Sequence, residues 1–226
     1  MKKITAIILV SLLFVLLVMN MFDSDINFNK MDQSEVDGQY YTENPTSANM
    51  VTSVVVDYRS FDTLGEVTVL FVSSLGVAFI LGGLSSRIKF KQSQSFILKV
   101  GTDMLFGMII LLGAYMFIHG HLTPGGGFPG GALIGAAFLL KYIGDDSYRA
   151  KISAFKALEG TMGSIYVLIG IIGILVGNYF LENLLDIGTL GNLVSGGLIP
   201  IIYVLIGLKV GSELTGIFDY FVNEEV

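Results

Sequence analysis

Ile118-His119-Gly120-His121-Leu122-Thr123-Pro124-Gly125-Gly126-Gly127-Phe128-Pro129-Gly130-Gly131 holds both histidines and two of the four prolines of the chain, between two apolar runs. Glycine removes side-chain bulk and permits positive φ, and Pro124 and Pro129 each delete a backbone donor, so the stretch predicts a break between two helices. Unpaired peptide groups are not tolerated against lipid. A loop of this kind lies at the membrane surface, is buried in protein or lines a wet cavity, and the last two demand hydrogen-bond partners, which neighbouring proteins or trapped water would supply.

The chain around this break is built for a membrane. Of its 226 residues 53% are hydrophobic and 14% charged, and the mean hydropathy is +0.72, far from a soluble domain. Cysteine is absent, which excludes disulfides, thiolate metal sites, iron–sulfur ligation and cysteine nucleophiles. The formal charge of -6 argues against a nucleic-acid partner.

Working outward, apolar runs of spanning length predict an all-α, polytopic fold with six crossings, broken once between the third and fourth. The first is Ile4 to Phe22, behind the basic Met1-Lys2-Lys3. Its end, Met19-Asn20-Met21-Phe22, lacks a cleavage-site pattern, so it is read as an uncleaved span. A polar, acidic loop follows from Asp23 to about Val51. Val51 to Glu66 reads as a short interfacial helix leading into the second crossing, Val67 to Leu84. The third crossing is Ile97 to Ile118, the fourth Gly130 to Tyr142 and the fifth Glu159 to Tyr179. The fifth carries Gly160, Gly163, Gly170, Gly173 and Gly177 at a spacing that lets helix backbones approach. The sixth, Leu190 to Leu208, passes Pro200, with Lys209 and Glu213 at its end.

Lysine and arginine collect in cytoplasmic loops. Lys2, Lys3, Arg87 to Lys99, Lys141 to Lys156 and Lys209 fall on one side of the six-crossing path, and only Lys30 and Arg59 on the other. The expectation is a multi-pass protein of the cell membrane with both termini cytoplasmic.

Charged groups at a helix centre cost about 2.5–3.5 kcal/mol on insertion scales, so near a span they face protein or water and often mark ion paths. Those here are Asp57, Asp62, Glu66, Asp103, Lys141, Glu159, Lys209 and Glu213. Glu66, Asp103 and Glu159 are expected in the first turns of apolar helices, where a carboxylate touches both water and the bundle and burial favours its protonated form. The bland reading for most of these residues is an interfacial anchor or an inter-subunit salt bridge. His119 and His121 do not share a helical face and have no third ligand nearby, so no metal site is expected. Hydrogen bonding to freed backbone suits them better, with proton relay the weaker reading. Gly125-Gly126-Gly127 lacks the Gly-Lys-Ser/Thr ending and preceding strand of a phosphate loop. No nucleophile or cofactor fingerprint is present, which leaves ion movement rather than covalent chemistry.

Two stretches resemble known families. Gly120 to Phe128 followed by Gly130-Gly131, with the closing Gly207-Leu208-Lys209-Val210-Gly211, resembles the MnhB/MrpB subunit of multisubunit (Mrp-type) sodium/proton antiporters. The likeness covers roughly Ser93 to Phe221, with a departure at Pro129, where family members commonly have glutamine. Val56-Asp57-Tyr58-Arg59-Ser60-Phe61-Asp62-Thr63-Leu64-Gly65-Glu66 is similar to the C-terminal end of the large MrpA subunit, which occurs as a separate MbhE-type subunit in membrane-bound hydrogenases. The resemblance implies two fused pieces, residues 1–92 with two crossings and 93–226 with four, joined near Lys91.

It further implies a non-catalytic accessory subunit that takes part in sodium and proton translocation. Its partners would be other Mrp-type antiporter subunits and hydrogenase-like or other redox subunits, with sodium and protons as transported ions and no cofactor in this chain. The ion-path candidates are Glu66, which matches the acidic residue of the MrpA-end motif, with Asp103, Lys141, Glu159 and Lys209. Asp57, Arg59 and Asp62 form an interfacial motif, and His119, His121, Pro124, Gly125, Gly126, Gly127 and Pro129 the broken-helix motif. The alternative is a structural subunit that seals the interface between antiporter and redox modules without carrying ions.

Overall fold

The computed structural model describes residues 38–81, 95–145, 147–177 and 179–222, and every regular element in them is helical. The chain divides into two compact units, Met1–Glu43 and Asn44–Val226. In the first, residues 38–43 are helical and the Thr42 hydroxyl donates to the Gly38 carbonyl at 3.0 Å. The expected first crossing, the start of the acidic loop and the basic connection from Arg87 to Lys91 lie outside the described residues.

In the second unit a short helix α1, Met50–Thr52, runs into a π-helical turn, Ser53–Tyr58. Then come α2, Ser60–Leu81; α3, Phe96–Ile118; α4, Gly127–Gly144; α5, Ile152–Val176; and α6, Ile199–Val222. By length and composition, α2 to α6 can each cross a membrane, five such helices among the described residues. At 18 residues α4 is the shortest, about 27 Å at 1.5 Å per residue, close to the hydrocarbon thickness.

Several boundaries differ from the sequence reading, each for a local reason. The stretch from Val51 to Glu66 is not one interfacial helix. It breaks at Arg59, with φ -120° and ψ 41°, and α2 starts at Ser60, well before Val67. Asp62 and Glu66 therefore sit inside a spanning helix. Likewise α5 starts at Ile152 rather than Glu159. The fourth crossing begins at Gly127, inside the glycine-rich stretch, so Pro129 falls in the first turn, where the missing N–H has no intrahelical acceptor to lose.

The largest shift is in the last crossing, which runs from Ile199 to Val222 instead of Leu190 to Leu208. Gly188, Gly191, Gly196 and Gly197 all take positive φ, which ends any helix before Ile199, and Pro200 lies in the first turn of α6. Lys209 and Glu213 thus stand in the middle of a span, not at its end.

Helix α6 is the axis of the bundle. Ile202, Tyr203, Leu205, Ile206 and Val210 are buried, and α2, α3, α4 and α5 all pack on it. Small residues allow the closest approaches. A Cβ on Gly113 of α3 would lie 2.8 Å from the Gly130 carbonyl of α4, and one on Gly131 would lie 2.7 Å from the Gly207 carbonyl of α6. The glycine stripe of α5 serves otherwise: Gly163 faces the Lys209 side chain, Gly170 faces Phe180, and Gly173 lies against backbone at Tyr179 to Glu182. The outer faces of α2, α3 and α5 expose Phe79, Leu111 and Leu175 among many apolar side chains, as surrounding lipid or neighbouring proteins require.

Gly113→Ala is expected to destabilise the bundle by about 1–3 kcal/mol through backbone collision, whereas Gly107→Ala, with nothing within 4 Å, is neutral or stabilising. Thermal unfolding of the purified full chain in detergent compares the two.

Candidate functional site

The break between α3 and α4 is held by the chain itself. At the end of α3 the His119 N–H closes on the Tyr115 carbonyl, the Leu122 and Thr123 N–H groups return to the His119 carbonyl, and the Gly126 N–H reaches back to Met116. Gly126 starts α4 at φ 141°, which glycine adopts without strain. The carbonyls left over point at the segment before α2. Asn49 Nδ2 donates to Gly120 at 2.9 Å and to Thr123 at 3.0 Å, the Asn49 N–H donates to His121 at 3.0 Å, and the Thr52 hydroxyl donates to Gly120 at 2.8 Å. Tyr203 of α6 in turn donates to Thr52 at 2.8 Å. The expectation that only neighbouring proteins or trapped water could satisfy this backbone is corrected: Asn49 and Thr52 do it.

The two histidines part company. His119 stacks on Tyr115 at 4.3 Å between ring centroids. His121 is fully buried, its Nε2 is 3.1 Å from the Leu193 carbonyl in the loop before α6, and its Nδ1 has no partner among the described residues. Burial holds the imidazole below its ordinary range, with the neighbouring His119 adding to that and the Leu193 and Asn192 carbonyls opposing it. Pro124, Gly125 and Pro129 shape the turn, and a Cβ on Gly125 would lie 2.8 Å from the Met116 carbonyl.

The expected ion-path residues fall into two groups, and none of the three carboxylates is in a first turn. Glu66, Asp103 and Glu159 each lie roughly two turns into α2, α3 and α5. The first group lines α2, α5 and α6. Lys209 and Glu213, one turn apart on α6, form a 2.7 Å ion pair, with Lys209 8% and Glu213 1% exposed. The Lys209 ammonium stands 5.4 Å from the Phe71 ring centre on α2, and its stem passes Gly163 of α5. Glu159 is within electrostatic reach of Lys209, Lys156 and Glu213. Glu213 Oε1 is enclosed without a hydrogen-bond partner among the described residues. Toward the other end of α6, Glu66 lines an open groove of about 570 Å³ with Val69, Leu70, Ser73 and Phe128. It is within electrostatic reach of Tyr166 and Tyr203, and the Tyr166 hydroxyl is likewise enclosed and unpartnered among the described residues.

The second group closes the far ends of α3 and α4. Lys141 pairs with Asp103 and, at 3.7 Å, with Asp145, which also takes Lys99 at 3.0 Å. Hydrogen bonds from Ser147 and Lys99 hold the Asp145 carboxyl well below the usual carboxylate range. Of the interfacial motif, Arg59 and Asp62 form an exposed pair at 2.5 Å, while Asp57 is buried in the π-helical turn.

Asn49, Thr52, Tyr203 and Asp145 escaped the sequence reading. Glu213 is among the charged residues near a span but not among the expected ion-path residues, although its i, i+4 spacing from Lys209 is the signal for the pair.

The model of the domain related to the MnhB subunit of Na+/H+ antiporter matches residues 97–216. The chain belongs to this family. The MnhB-like domain thus comprises the break and α3 to α6, and the chain is a multi-pass membrane protein of the kind found in antiporter modules. Residues 4–88 match a second family, MbhE, one of the MBH subunits. An uncharacterized protein of Methanocaldococcus jannaschii is 34% identical over 197 residues, 74% of each chain. In the solved structure of the membrane-bound sulfane sulfur reductase, an archaeal respiratory membrane complex, one chain is 44% identical, with 99% of both chains covered and a TM-score of 0.77. A chain of the Mrp complex from Dietzia sp. DQ12-45-1b shares the fold, with a TM-score of 0.68 at 24% identity over 99% of this chain and 26% of that longer one.

Two outcomes test the tied break. Asn49→Ala, which strands the Thr123 carbonyl and leaves Gly120 only the Thr52 hydroxyl, is expected to cost about 1–3 kcal/mol in the unfolding of the purified chain. Burial disfavours the charged form of His121 in the fold, so from its lowered pKa up to its ordinary 6.5 the unfolded chain binds more protons than the folded one. Its contribution is therefore fully present above about pH 6.5 and is lost as the pH falls. His121→Gln should remove that acid-side slope from a plot of unfolding midpoint against pH.

Proposed function

We propose that this chain is an accessory subunit of a sodium/proton antiporter module and takes part in moving sodium and protons. The Lys209–Glu213 pair of α6, with Glu159 on α5 and Glu66 on α2, is its share of the path. One observation carries the reading: a 2.7 Å ion pair inside a spanning helix, with one carboxylate oxygen left unpartnered among the described residues. Charges at that depth are costly, are kept where they face protein or water, and mark ion routes. Breaking such a buried pair costs several kcal/mol, so a passing cation or proton has to supply the charge it displaces.

The match to the MnhB-related family and the likeness to a chain of an archaeal respiratory membrane complex support membership in a larger assembly. In that assembly antiporter subunits and redox subunits, hydrogenase-like ones included, are the partners, and any redox chemistry is theirs. The two family matches, 4–88 and 97–216, lie on either side of residue 92 and support a division of the chain there. The distribution of lysine and arginine supports cytoplasmic termini.

The structural alternative draws on Lys99, Asp145, Lys141 and Asp103. That chain of ion pairs has Lys99 and Asp103 about half exposed, an arrangement suited to clamping a boundary between subunits. Glu213→Gln and Lys209→Ala are expected to lower sodium-dependent proton exchange by roughly tenfold or more, equivalent to about 1.4 kcal/mol of barrier, in complexes that keep all their subunits. Glu66→Ala and Glu159→Ala are expected to lower it less, and Asp103→Ala to leave it unchanged. Exchange in vesicles and the composition of the complex are measured together. Unchanged exchange in all five variants would establish the sealing role.

A further inference from the structure

Helix α2 is enclosed at one end only. Its buried residues, Ser60, Thr63 and Val67, belong to its first turns, and no residue from Thr68 to Leu81 is buried. On the open side Glu66, Val69, Leu70 and Ser73 line a single groove of about 570 Å³, to which α4 contributes Phe128. Glu66 is exposed there, and its charge is not answered. Asp62, one turn earlier, has Arg59, and Lys209 on α6 has Glu213. No lysine or arginine among the described residues pairs with Glu66, and the Tyr166 and Tyr203 hydroxyls within its electrostatic reach bring no positive charge.

A carboxylate on a spanning helix is kept where it meets protein or water. Water is poorly held in this groove: Val69, Leu70 and Phe128 are apolar, and Ser73 lies two turns from Glu66, roughly 10 Å along α2. Phospholipid is a poor cover as well, since its phosphate repels the carboxylate and its acyl chains leave the charge unpaired. The pattern of the face selects a helix instead. Glu66, Val69, Ser73, Gly76 and Ile80 recur at alternating spacings of three and four, the register by which two helices pack along a seam. Val69, Ser73 and Ile80 are exposed, and a Cβ on Gly76 would meet nothing within 4 Å, so the seam leaves room for a close approach.

We propose that this face of α2 receives a transmembrane helix of a neighbouring subunit, and that a lysine or arginine of that helix pairs with Glu66. The long apolar stem of either residue lies along Val69, Leu70 and Phe128 while its charged head reaches the carboxylate. The incoming helix covers the part of α2 that the rest of this chain leaves open. The inference names the partner of one carboxylate of the path given above. It rests on that reading only in taking the chain as one subunit of an assembly, and not on the passage of ions.

The test uses the purified whole complex. A diazirine-bearing amino acid in place of Val69 or Ser73 is expected to cross-link this chain, from both positions, to one and the same subunit, within an apolar segment that carries a lysine or arginine. Cross-links to lipid alone, or to a segment without either residue, would overturn the proposal. Glu66→Lys, which sets like charges face to face, is expected to reduce retention of that subunit through detergent washing by roughly tenfold or more, and Glu66→Gln to reduce it less. Exchanging the mapped basic residue for glutamate in the Glu66→Lys complex should restore the subunit. Full retention in Glu66→Lys, or no restoration by the exchange, sinks the pairing, and cross-linking decides the matter if Glu66→Lys does not assemble. None of these readouts involves ion exchange, so the transport reading, tested by Glu213→Gln, stands or falls separately.

Discussion

Where α3 stops, the carbonyls of Gly120, His121 and Thr123 have no helix to bond to, and their capture by Asn49 and Thr52 is the constraint on which the rest of the bundle depends. A buried carbonyl left alone costs more than a bond contributes when made, so the break can exist at this place only if something fills it. With the turn fixed, α3 and α4 descend side by side and Gly113 meets Gly130. The same turn brings Gly127 and Gly131 of α4 against α6, at Tyr203, Ile206 and Gly207. Tyr203 closes the circle, since its hydroxyl bonds Thr52, and α6 is thereby tied to the filling segment as well as to the helix beneath it.

The filling segment and the break come from different families. Asn49 and Thr52 lie in the MbhE part, and Gly120 to Thr123 lie in the MnhB-related part. Each part completes backbone that the other leaves open. Covalent linkage of the two raises their effective concentration and lowers the entropy of bringing them together, which gives a physical reason for one chain where two subunits would also serve.

The two charge groups show how one membrane domain handles polar side chains differently according to depth. At the ends of α3 and α4 the ion pairs of Asp103, Lys141, Asp145 and Lys99 are partly wet, and pairs of that sort contribute little to stability. Inside, Lys209 and Glu213 are buried and answer each other one turn apart along α6, with Phe71 and Gly163 beside the lysine. The glycine stripe of α5 belongs to this arrangement: absence of a side chain at Gly163 makes the room that the lysine stem occupies.

Composition, run length and the glycine–proline stretch determined by themselves that the described chain is helical, crosses a membrane repeatedly and is interrupted between Ile118 and Gly127, because hydrocarbon thickness and backbone pairing leave few other solutions. The family was legible too, in Gly120 to Gly131 and Val56 to Glu66. What the tertiary structure decided was where the helices start and what the charges face. Apolar stretches do not mark their own ends, so the sixth crossing read as passing through Pro200 when Pro200 opens α6, and Lys209 and Glu213 read as its end when they lie in its middle. Asn49 read as loop and Thr52 as the start of an interfacial helix, since a hydrogen bond across about seventy residues leaves no local pattern in a sequence, and only the folded chain shows which carbonyl each one meets.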